Sequence, residues 1–95
     1  MKLTEKKKDK SKISFAIEGD ISIYSVKELK DELSKYFDNN KNMEFDLSAV
    51  DKLDTAGFQL LLMASKELES KDKKLTIINP SSETERIFKL FGEDL

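Results

Sequence analysis

The sequence predicts an α/β fold with a small, mixed and mostly parallel β-sheet. Two segments, 13–18 (ISFAIE) and 43–48 (MEFDLS), alternate apolar and polar residues as half-buried strands do. Between and after them, apolar residues recur at helical spacing. Strands that alternate with helices of about ten to fifteen residues are joined by crossover connections, so neighbouring strands should be parallel.

An amino-terminal β-hairpin is expected to make this sheet mixed. The stretch KLTEK predicts a short first strand and KKDKSK a turn, but few apolar residues support them. Residues 1–12 are therefore expected to form an edge strand or to be weakly ordered. Because the chain has only 95 residues, with no internal repeat and no linker, the range 1–95 is predicted to be a single domain.

The first helix is predicted to start near Val26. Ser25 and Glu28 have the spacing of a capping box, and Tyr24 and Leu29 have the spacing of a hydrophobic staple. The helix should end before the sequence DNNKN, because asparagines favour turns.

Two further helices are predicted in the second half of the chain. One should span about residues 56–70, and a strand in KLTIIN follows it until the Asn-Pro pair. Ser82 and Glu85 predict a capping box for the last helix. This helix should run to about Phe91, with Gly92 placed to terminate it.

The composition excludes several classes of function. Hydrophobic and charged residues each make up 38% of the chain and the net charge is −2, a globular balance that suggests neither nucleic acid nor an anionic membrane as partner. The lysine-rich start lacks aromatic residues for base stacking, so we interpret it as a solvated strand and turn. Because there is no cysteine and no histidine, disulfides, zinc-thiolate sites and Ser-His or Cys-His catalytic pairs are excluded.

The location expected from the sequence is the cytoplasm. No signal peptide opens the chain, and no apolar run approaches the ~18 residues of a membrane span. No direct membrane insertion is therefore expected.

The segment 51–65 (DKLDTAGFQLLLMAS) is apolar on more than one side of its predicted helix. The core face is formed by Gly57, Leu61, Ala64 and Leu68, with Leu60 on its flank. Phe58 lies at one margin, and Leu62 and Met63 lie away from this face. Either neighbouring elements cover them, or they form an exposed apolar patch that contacts a partner protein.

A hydroxyl group stands at the start of this helix. Asp54 or Thr55 can accept a hydrogen bond from the free N–H groups of the first turn, which is the common use of Asp and Thr there. Thr55 is also well placed for phosphorylation, because a phosphate would meet the positive end of the helix dipole. Roughly two negative charges would then lie beside Phe58, Asp51 and Asp54, and an apolar partner would be repelled.

The sequence resembles the STAS domain, which bacterial anti-sigma factor antagonists share with the tails of sulfate transporters. The resemblance runs from about Ile13 to Gly92. It rests on FDLSAVDKLDTAGFQLLL, preceded by IEGDISIYSVKELKDEL and followed by LTIINPSSETERIFKLFG. The most specific part is the pattern D-L-S-x-V-x-x-[LIVM]-D-[ST]-x-G. The resemblance implies a STAS-like fold that binds partner proteins.

In the anti-sigma factor antagonists, the hydroxyl that follows the aspartate of this pattern is phosphorylated. The kinase is an ATP-dependent Ser/Thr kinase that is often the anti-sigma factor itself. By resemblance, the phosphorylated residue here is Thr55, after Asp54. The unphosphorylated antagonist binds its partner, the phosphorylated one releases it, and a phosphatase resets the cycle. This role belongs to bacterial signal transduction and transcription regulation.

Two positions differ from the antagonists. They usually carry D-S-S-G where this chain has Asp54-Thr55-Ala56-Gly57, a version that looks more like STAS proteins of chemotaxis systems or lipid-transport ABC complexes. They also often carry G-E-L-D where this chain has GDIS, so that Ser22 takes the place of the acidic residue near the phosphorylated hydroxyl.

Three functional hypotheses follow. The first is a non-enzymatic interaction module that binds an anti-sigma factor or Ser/Thr kinase, or another signalling or transporter subunit, and is switched by phosphorylation of Thr55. Its predicted partner-binding residues are Asp20, Ser22, Asp54, Ala56, Gly57, Phe58, Leu62 and Met63. The second is a constitutive, unphosphorylated subunit of a chemotaxis array or lipid-transport complex, in which Thr55 has no regulatory role.

The third hypothesis is an enzyme in which Asp46, Asp51 and Asp54 gather near one strand end and hold a divalent ion. The chain offers no nucleophile pair or phosphate cradle to accompany such an ion, and it has only three glycines. The expectation is therefore that there is no catalytic residue, no metal and no cofactor.

Overall fold

The computed structural model describes residues 1–92. Seven regular elements follow one another in the order strand, strand, helix, strand, helix, strand, helix. They are β1 (Lys2–Lys8), β2 (Lys12–Ile21), α1 (Val26–Ser34), β3 (Asn42–Leu53), α2 (Thr55–Glu69), β4 (Leu75–Ile78) and α3 (Ser82–Leu90), with a short 3₁₀ turn at Phe37–Asn39. None of the helices in this part of the chain is long and apolar enough to span a membrane.

The four strands form one mixed sheet in the order β1-β2-β3-β4. β1 is antiparallel to β2, whereas β2 and β3 are parallel, as are β3 and β4. The prediction of a mostly parallel sheet with an amino-terminal hairpin is confirmed. Residues 2–8 form the edge strand, with pairs that run from Lys2 opposite Glu18 to Lys8 opposite Ile13.

The helices cover one face of this sheet. The side chains of β2 and β3 that point toward them are buried: Ile13, Phe15, Ile17, Met43, Phe45 and Leu47. They join one apolar cluster with the inward faces of the helices, formed by Leu29, Leu33, Leu61, Ala64, Leu68, Ile87 and Phe88. The alternating residues of the same two strands are partly exposed and mostly polar, such as Ser14 and Glu44. The opposite face of the sheet is therefore open.

β2 and β3 both extend beyond the segments that alternate in sequence. Their pairing shifts register between Ala16 and Glu18 and again between Gly19 and Asp20. Such irregularities add residues to a strand and break the period of two, so the pattern ends before the strand does. As a consequence, the two strands finish side by side, with Ile21 opposite Leu53.

α1 begins at Val26 as predicted, but the contacts before it differ from the prediction. Ser25 precedes the helix, but its side chain makes no cap hydrogen bond. Its Oγ instead donates to the carbonyl oxygen of Asp20 at 2.8 Å and accepts from the N–H of Ser22 at 3.0 Å, which closes the loop before the helix. Tyr24 is 93% exposed, so it forms no staple with buried Leu29. The predicted capping box and staple are both wrong.

The cap of α3 lies one residue earlier than predicted. Ser81 precedes the helix in an extended conformation, and its Oγ accepts from the N–H of Thr84 at 3.2 Å. Ser82 is the first helical residue and is exposed. At the other end, Gly92 has a left-handed backbone with φ of 71°, which suits the predicted terminator.

This difference between two adjacent serines can be tested. Replacing Ser81 with alanine should lower the free energy of unfolding by about 1 kcal/mol, because an N–H group of the first turn loses its acceptor. Replacing Ser82 with alanine should change it by less than about 0.5 kcal/mol, since its side chain is exposed. Urea unfolding followed by circular dichroism measures both. A larger loss for the Ser82 variant would contradict the assignment of the cap.

Candidate functional site

Two loops meet where the carboxyl ends of β2 and β3 lie side by side. The loop between β2 and α1 follows Ile21, and the junction between β3 and α2 follows Leu53. The N–H of Asp54 donates to the carbonyl oxygen of Ile21 at 3.3 Å, which ties the second loop to the end of β2. Ligand and partner sites of α/β folds form at such strand ends.

Asp54 holds both loops with one carboxylate. Its Oδ1 accepts from the N–H of Gly57 at 2.9 Å and so caps α2, as expected for one of the two cap candidates. Its Oδ2 accepts from the N–H of Ile23 at 3.0 Å, in the other loop. Burial by itself raises the pKa of Asp54, but the N–H groups of Gly57 and Ile23 outweigh it and lower the pKa below its usual value. The carboxylate is therefore ionised at neutral pH.

Gly57 is buried because α2 approaches β2 closely at this point. A Cβ atom on Gly57 would lie 2.0 Å from the carbonyl oxygen of Ile21 and 2.8 Å from Cδ1 of Leu53. Its backbone is helical, so space and not backbone conformation requires glycine here. Gly57 was predicted to lie on the core face of α2 and also to contact a partner, and its burial agrees with the core position. Ala56, its neighbour, is half-buried.

Thr55 is exposed at the first position of α2. Asp54 supplies the cap, so the threonine hydroxyl is not needed for it. The hydroxyl therefore lies at the positive end of a 15-residue helix, on the surface. This is the geometry in which a hydroxyl is available to another protein.

Phe58 does not lie on the surface, contrary to the expectation from its position on the helix. It is only 2% exposed. Its ring meets Phe88 edge-on with centroids 5.1 Å apart and stacks on Phe91 at 4.6 Å. Phe88 lies in the carboxyl-terminal part of α3 and Phe91 directly follows that helix, so the end of α3 lies over the first turn of α2. This covering explains why the helix is apolar at that margin.

Leu62 and Met63 are half-buried and pack against the core cluster. They also line a shallow groove on the outer side of α2 with Gln59, Lys66 and Glu67. Part of the surface of Leu62 and Met63 is therefore covered by neighbouring elements, and the rest is exposed on the outside of α2. Thr55, Gln59, Leu62 and Met63 are separated by helical spacing, so they share one face of α2.

The loop before α1 presents different side chains from those predicted. Ser22 is 2% exposed, and its Oγ accepts from the N–H of Tyr24 at 3.3 Å, so Ser22 is a structural residue of the loop. Asp20 is exposed and lies beside Asp51 of β3. The carboxyl group of Asp20, through hydrogen bonding and charge repulsion, raises the pKa of exposed Asp51, and some loss of hydration adds to this effect.

Ile23 and Tyr24 are surface residues that the sequence patterns did not point to. They are 62% and 93% exposed, and the N–H of Ile23 binds Asp54 directly. Two large, mainly apolar side chains thus lie on the loop after β2, which Asp54 binds to the start of α2. The available signal was an Ile-Tyr pair between two serines in a predicted loop, where polar residues are usual.

Asp46, Asp51 and Asp54, which the third hypothesis proposed as metal ligands, do not form a cluster. Asp46 accepts from the N–H of Ser48 at 2.9 Å and from the side-chain amide of Asn79 at 3.2 Å, whereas Asp54 is engaged with the two loops. Throughout residues 1–92, no three acidic side chains come close enough to hold a metal ion. The metal site of that hypothesis is therefore contradicted.

A sequence model of the STAS domain matches residues 4–94. The chain therefore belongs to the STAS domain family.

Solved structures of this fold include anti-sigma factor antagonists. The anti-sigma factor antagonist SpoIIAA in its unphosphorylated form superimposes with a TM-score of 0.75 at 17% identity, over 97% of this chain and 84% of that one. The Bacillus cell fate determinant SpoIIAA in the phosphorylated form gives 0.73 at 18% identity, over 96% and 84%. The STAS domain of an antisigma-factor antagonist from Rhodobacter sphaeroides gives 0.68 at 20%, over 87% and 94%. At 17–20% sequence identity, these superpositions show that the chain has the same fold as these proteins.

Proposed function

We propose that this chain is a non-enzymatic interaction module of the anti-sigma factor antagonist type. It binds a partner protein through the surface around Thr55 and releases it when a Ser/Thr kinase phosphorylates that residue. Membership of the STAS family supports the proposal. So does the fold shared with an antagonist that was solved in unphosphorylated and phosphorylated forms. The observation that carries it is exposed Thr55 directly after Asp54, whose carboxylate binds the loop that exposes Ile23 and Tyr24.

The binding surface of this proposal differs from the one expected from sequence. Ile23 and Tyr24 replace buried Phe58 as the apolar contacts next to Thr55. Leu62 and Met63 extend the surface along the same face of α2. An apolar centre with a polar rim is the usual anatomy of a protein interface, and tyrosine is enriched in such centres.

Phosphorylation of Thr55 would oppose binding through charge and hydration. A phosphate adds roughly two negative charges, which the first turn of α2 tolerates because of its dipole. The apolar partner surface that covers Ile23 and Tyr24 would then have to remove water from a dianion. The nearby carboxylate of Asp54 adds repulsion to any acidic group that the partner brings. Release therefore requires no unfolding of the domain.

Phosphoryl transfer gives the direct test. The partner recovered from native lysate on the immobilised protein is incubated with this protein and ATP, and intact mass is measured. One phosphoryl group should be added to the wild type and none to Thr55→Ala. Thr76→Ala should still be modified, because Thr76 is an exposed threonine on β4, outside the proposed surface. Modification of the Thr55→Ala variant, or an unmodified wild type with a kinase active on a control substrate, contradicts the proposal.

Binding measurements separate the switch from constitutive assembly. Thr55→Glu should weaken binding to the recovered partner by about tenfold or more, since a charge is placed in a desolvated contact. Thr55→Ala should bind as the wild type does. Unchanged binding of Thr55→Glu would favour the constitutive subunit of a chemotaxis array or lipid-transport complex, an alternative that the Asp-Thr-Ala-Gly sequence supports.

A further inference from the structure

Lysines from three separate turns meet at the end of the sheet opposite Thr55. Counted with the strand residues that flank them, the turns are 8–12 at the junction of β1 and β2, 38–42 at the start of β3, and 71–74 before β4. Together they form a surface that we call the basic edge. It lies at the amino ends of the three parallel strands, whereas Thr55 follows the carboxyl end of β3.

Hydrogen bonds hold the three turns of the basic edge against one another. The Nζ of Lys41 donates to the carbonyl oxygen of Asp9 at 2.6 Å, and the N–H of Asn42 donates to the carbonyl oxygen of Ser11 at 2.9 Å. The N–H of Lys74 donates to Oδ1 of Asn42, also at 2.9 Å. The lysines of all three turns therefore belong to one fixed surface and not to an independent amino-terminal arm.

The basic edge has a strong excess of positive charge. Its three turns contain seven lysines and three aspartates, an excess of four, although the whole chain carries −2. The remainder of the chain therefore carries −6, and the molecule is electrically polarised. In the described part of the chain, the ion pairs of this edge engage Lys12 and Lys71, while Lys8, Lys10 and Lys74 are exposed.

The positive edge is far enough from the acidic end to act independently. Ten residues of β2 separate the two ends, which at about 3.3 Å per residue is roughly 30 Å. The screening length at physiological ionic strength is about 8 Å. Asp20, Asp51 and Asp54 at the far end are therefore screened from a charged surface that touches the basic edge, so net charge alone is a poor guide here.

We propose that the basic edge binds the surface of anionic phospholipid membranes by electrostatic attraction. Each lysine near such a surface strengthens binding roughly fivefold, and clusters of four to eight basic residues are the usual size of such sites. The large apolar side chains exposed within residues 1–92 are Ile23, Tyr24, Leu90 and Phe91, none of them in these turns. The contact is therefore peripheral, without insertion into the lipid.

The chemistry of the basic edge favours lipid phosphates over the other polyanions. Its basic residues are all lysines, without the arginine forks and stacking aromatics that nucleic-acid surfaces use. Protein interfaces, in turn, are depleted of lysine at their centres. The proposal is independent of the role of Thr55, which would face away from the membrane and stay accessible to a protein partner.

Cosedimentation with vesicles tests the proposal on the full chain. Vesicles of phosphatidylcholine with about one third phosphatidylglycerol should bind the wild type at about 50 mM salt and release it at about 500 mM. Pure phosphatidylcholine should not bind it. The double variant Lys10→Glu, Lys74→Glu should bind at least about tenfold more weakly. The matched variant Lys30→Glu, Lys89→Glu makes the same change in net charge at exposed helical positions and should keep the wild-type affinity.

Several results would overturn the proposal. One is a wild type that does not cosediment with anionic vesicles at low salt. Another is an equal loss of vesicle binding in the two double variants. Displacement from the vesicles by duplex DNA at the same phosphate concentration would assign the edge to nucleic acid instead. Circular dichroism before sedimentation confirms that each variant is folded, so that lost binding reports on the surface.

Discussion

Gly57→Ala is expected to lower the free energy of unfolding by about 3 kcal/mol or more, a large part of the 5–15 kcal/mol typical of a small domain. The new Cβ would lie 2.0 Å from the carbonyl oxygen of Ile21, and a backbone atom at the end of a strand cannot move aside as a flexible side chain can. Relief requires α2 to shift away from the sheet, which would disturb the hydrogen bonds of Asp54 as well. Urea unfolding followed by circular dichroism measures the loss as a lower midpoint.

Gly92→Ala is the matched control for this substitution. Gly92 has φ of 71°, and within residues 1–92 no atom beyond its chain neighbours lies within 4 Å of the position that a Cβ would take. The expected loss of stability is therefore that of a left-handed backbone, about 1 kcal/mol. Comparable losses for the two variants would show that the close approach at Gly57 is not the reason for its glycine.

Asp54→Ala should lower the free energy of unfolding by about 2–3 kcal/mol, because the carboxylate accepts two separate hydrogen bonds. Loss of a helix cap costs about 1 kcal/mol, and loss of a charge-assisted hydrogen bond to the N–H of Ile23 costs about 1.5 kcal/mol more. The amide protons of Gly57 and Ile23 should both exchange faster with solvent in the variant. Urea unfolding and amide hydrogen exchange together measure the energy and its location.

The same carboxylate predicts a pH dependence with a definite sign. The pKa of Asp54 is lowered in the folded protein, so its contribution is complete above the unfolded value of about 3.9 and is lost as the pH falls through the folded value. The stability difference between wild type and Asp54→Ala should therefore shrink below about pH 4. Asp31→Ala is the control, since Asp31 is an exposed residue of α1 paired only with Lys27 in the described chain, and it should change stability by less than about 0.5 kcal/mol. A difference that persists unchanged in acid, or an Ile23 amide that stays protected, would contradict the role assigned to Asp54.

Both predictions concern residues whose roles the sequence predicted only in part, Asp54 as one of two cap candidates and Gly57 on the core face of α2. The Asp-Thr-Ala-Gly stretch was interpreted as a partner-binding loop, and the structure places Thr55 on the surface of that loop. The second hydrogen bond of Asp54 and the lack of space for a Cβ at Gly57, however, depend on contacts with the end of β2 and the loop after it, about thirty positions or more earlier in the chain. Contacts of that range leave no local period in a sequence, so they could not be predicted from it.

Helix caps show the same limit on a smaller scale. Ser25 and Ser82 both had the spacing of a cap, yet Ser25 closes a loop and the cap of α3 is Ser81. Several serines near a helix start satisfy the same local rule. Which of them binds the free N–H groups depends on the direction from which the chain enters the helix, and neighbouring elements set that direction.

Local patterns in the sequence were enough to predict the order of strands and helices, the mixed and mostly parallel sheet, and the hydroxyl motif at the start of α2. These features follow from periods of two and 3.6 residues and from short motifs, which are local properties. The tertiary structure determines which apolar side chains reach the surface. Phe58 is buried because α3 returns to cover it, whereas Ile23 and Tyr24 are exposed because Asp54 and Ser25 hold their loop at the strand ends. It also decided that lysines distant in the chain share one edge, since parallel strands bring their preceding turns together.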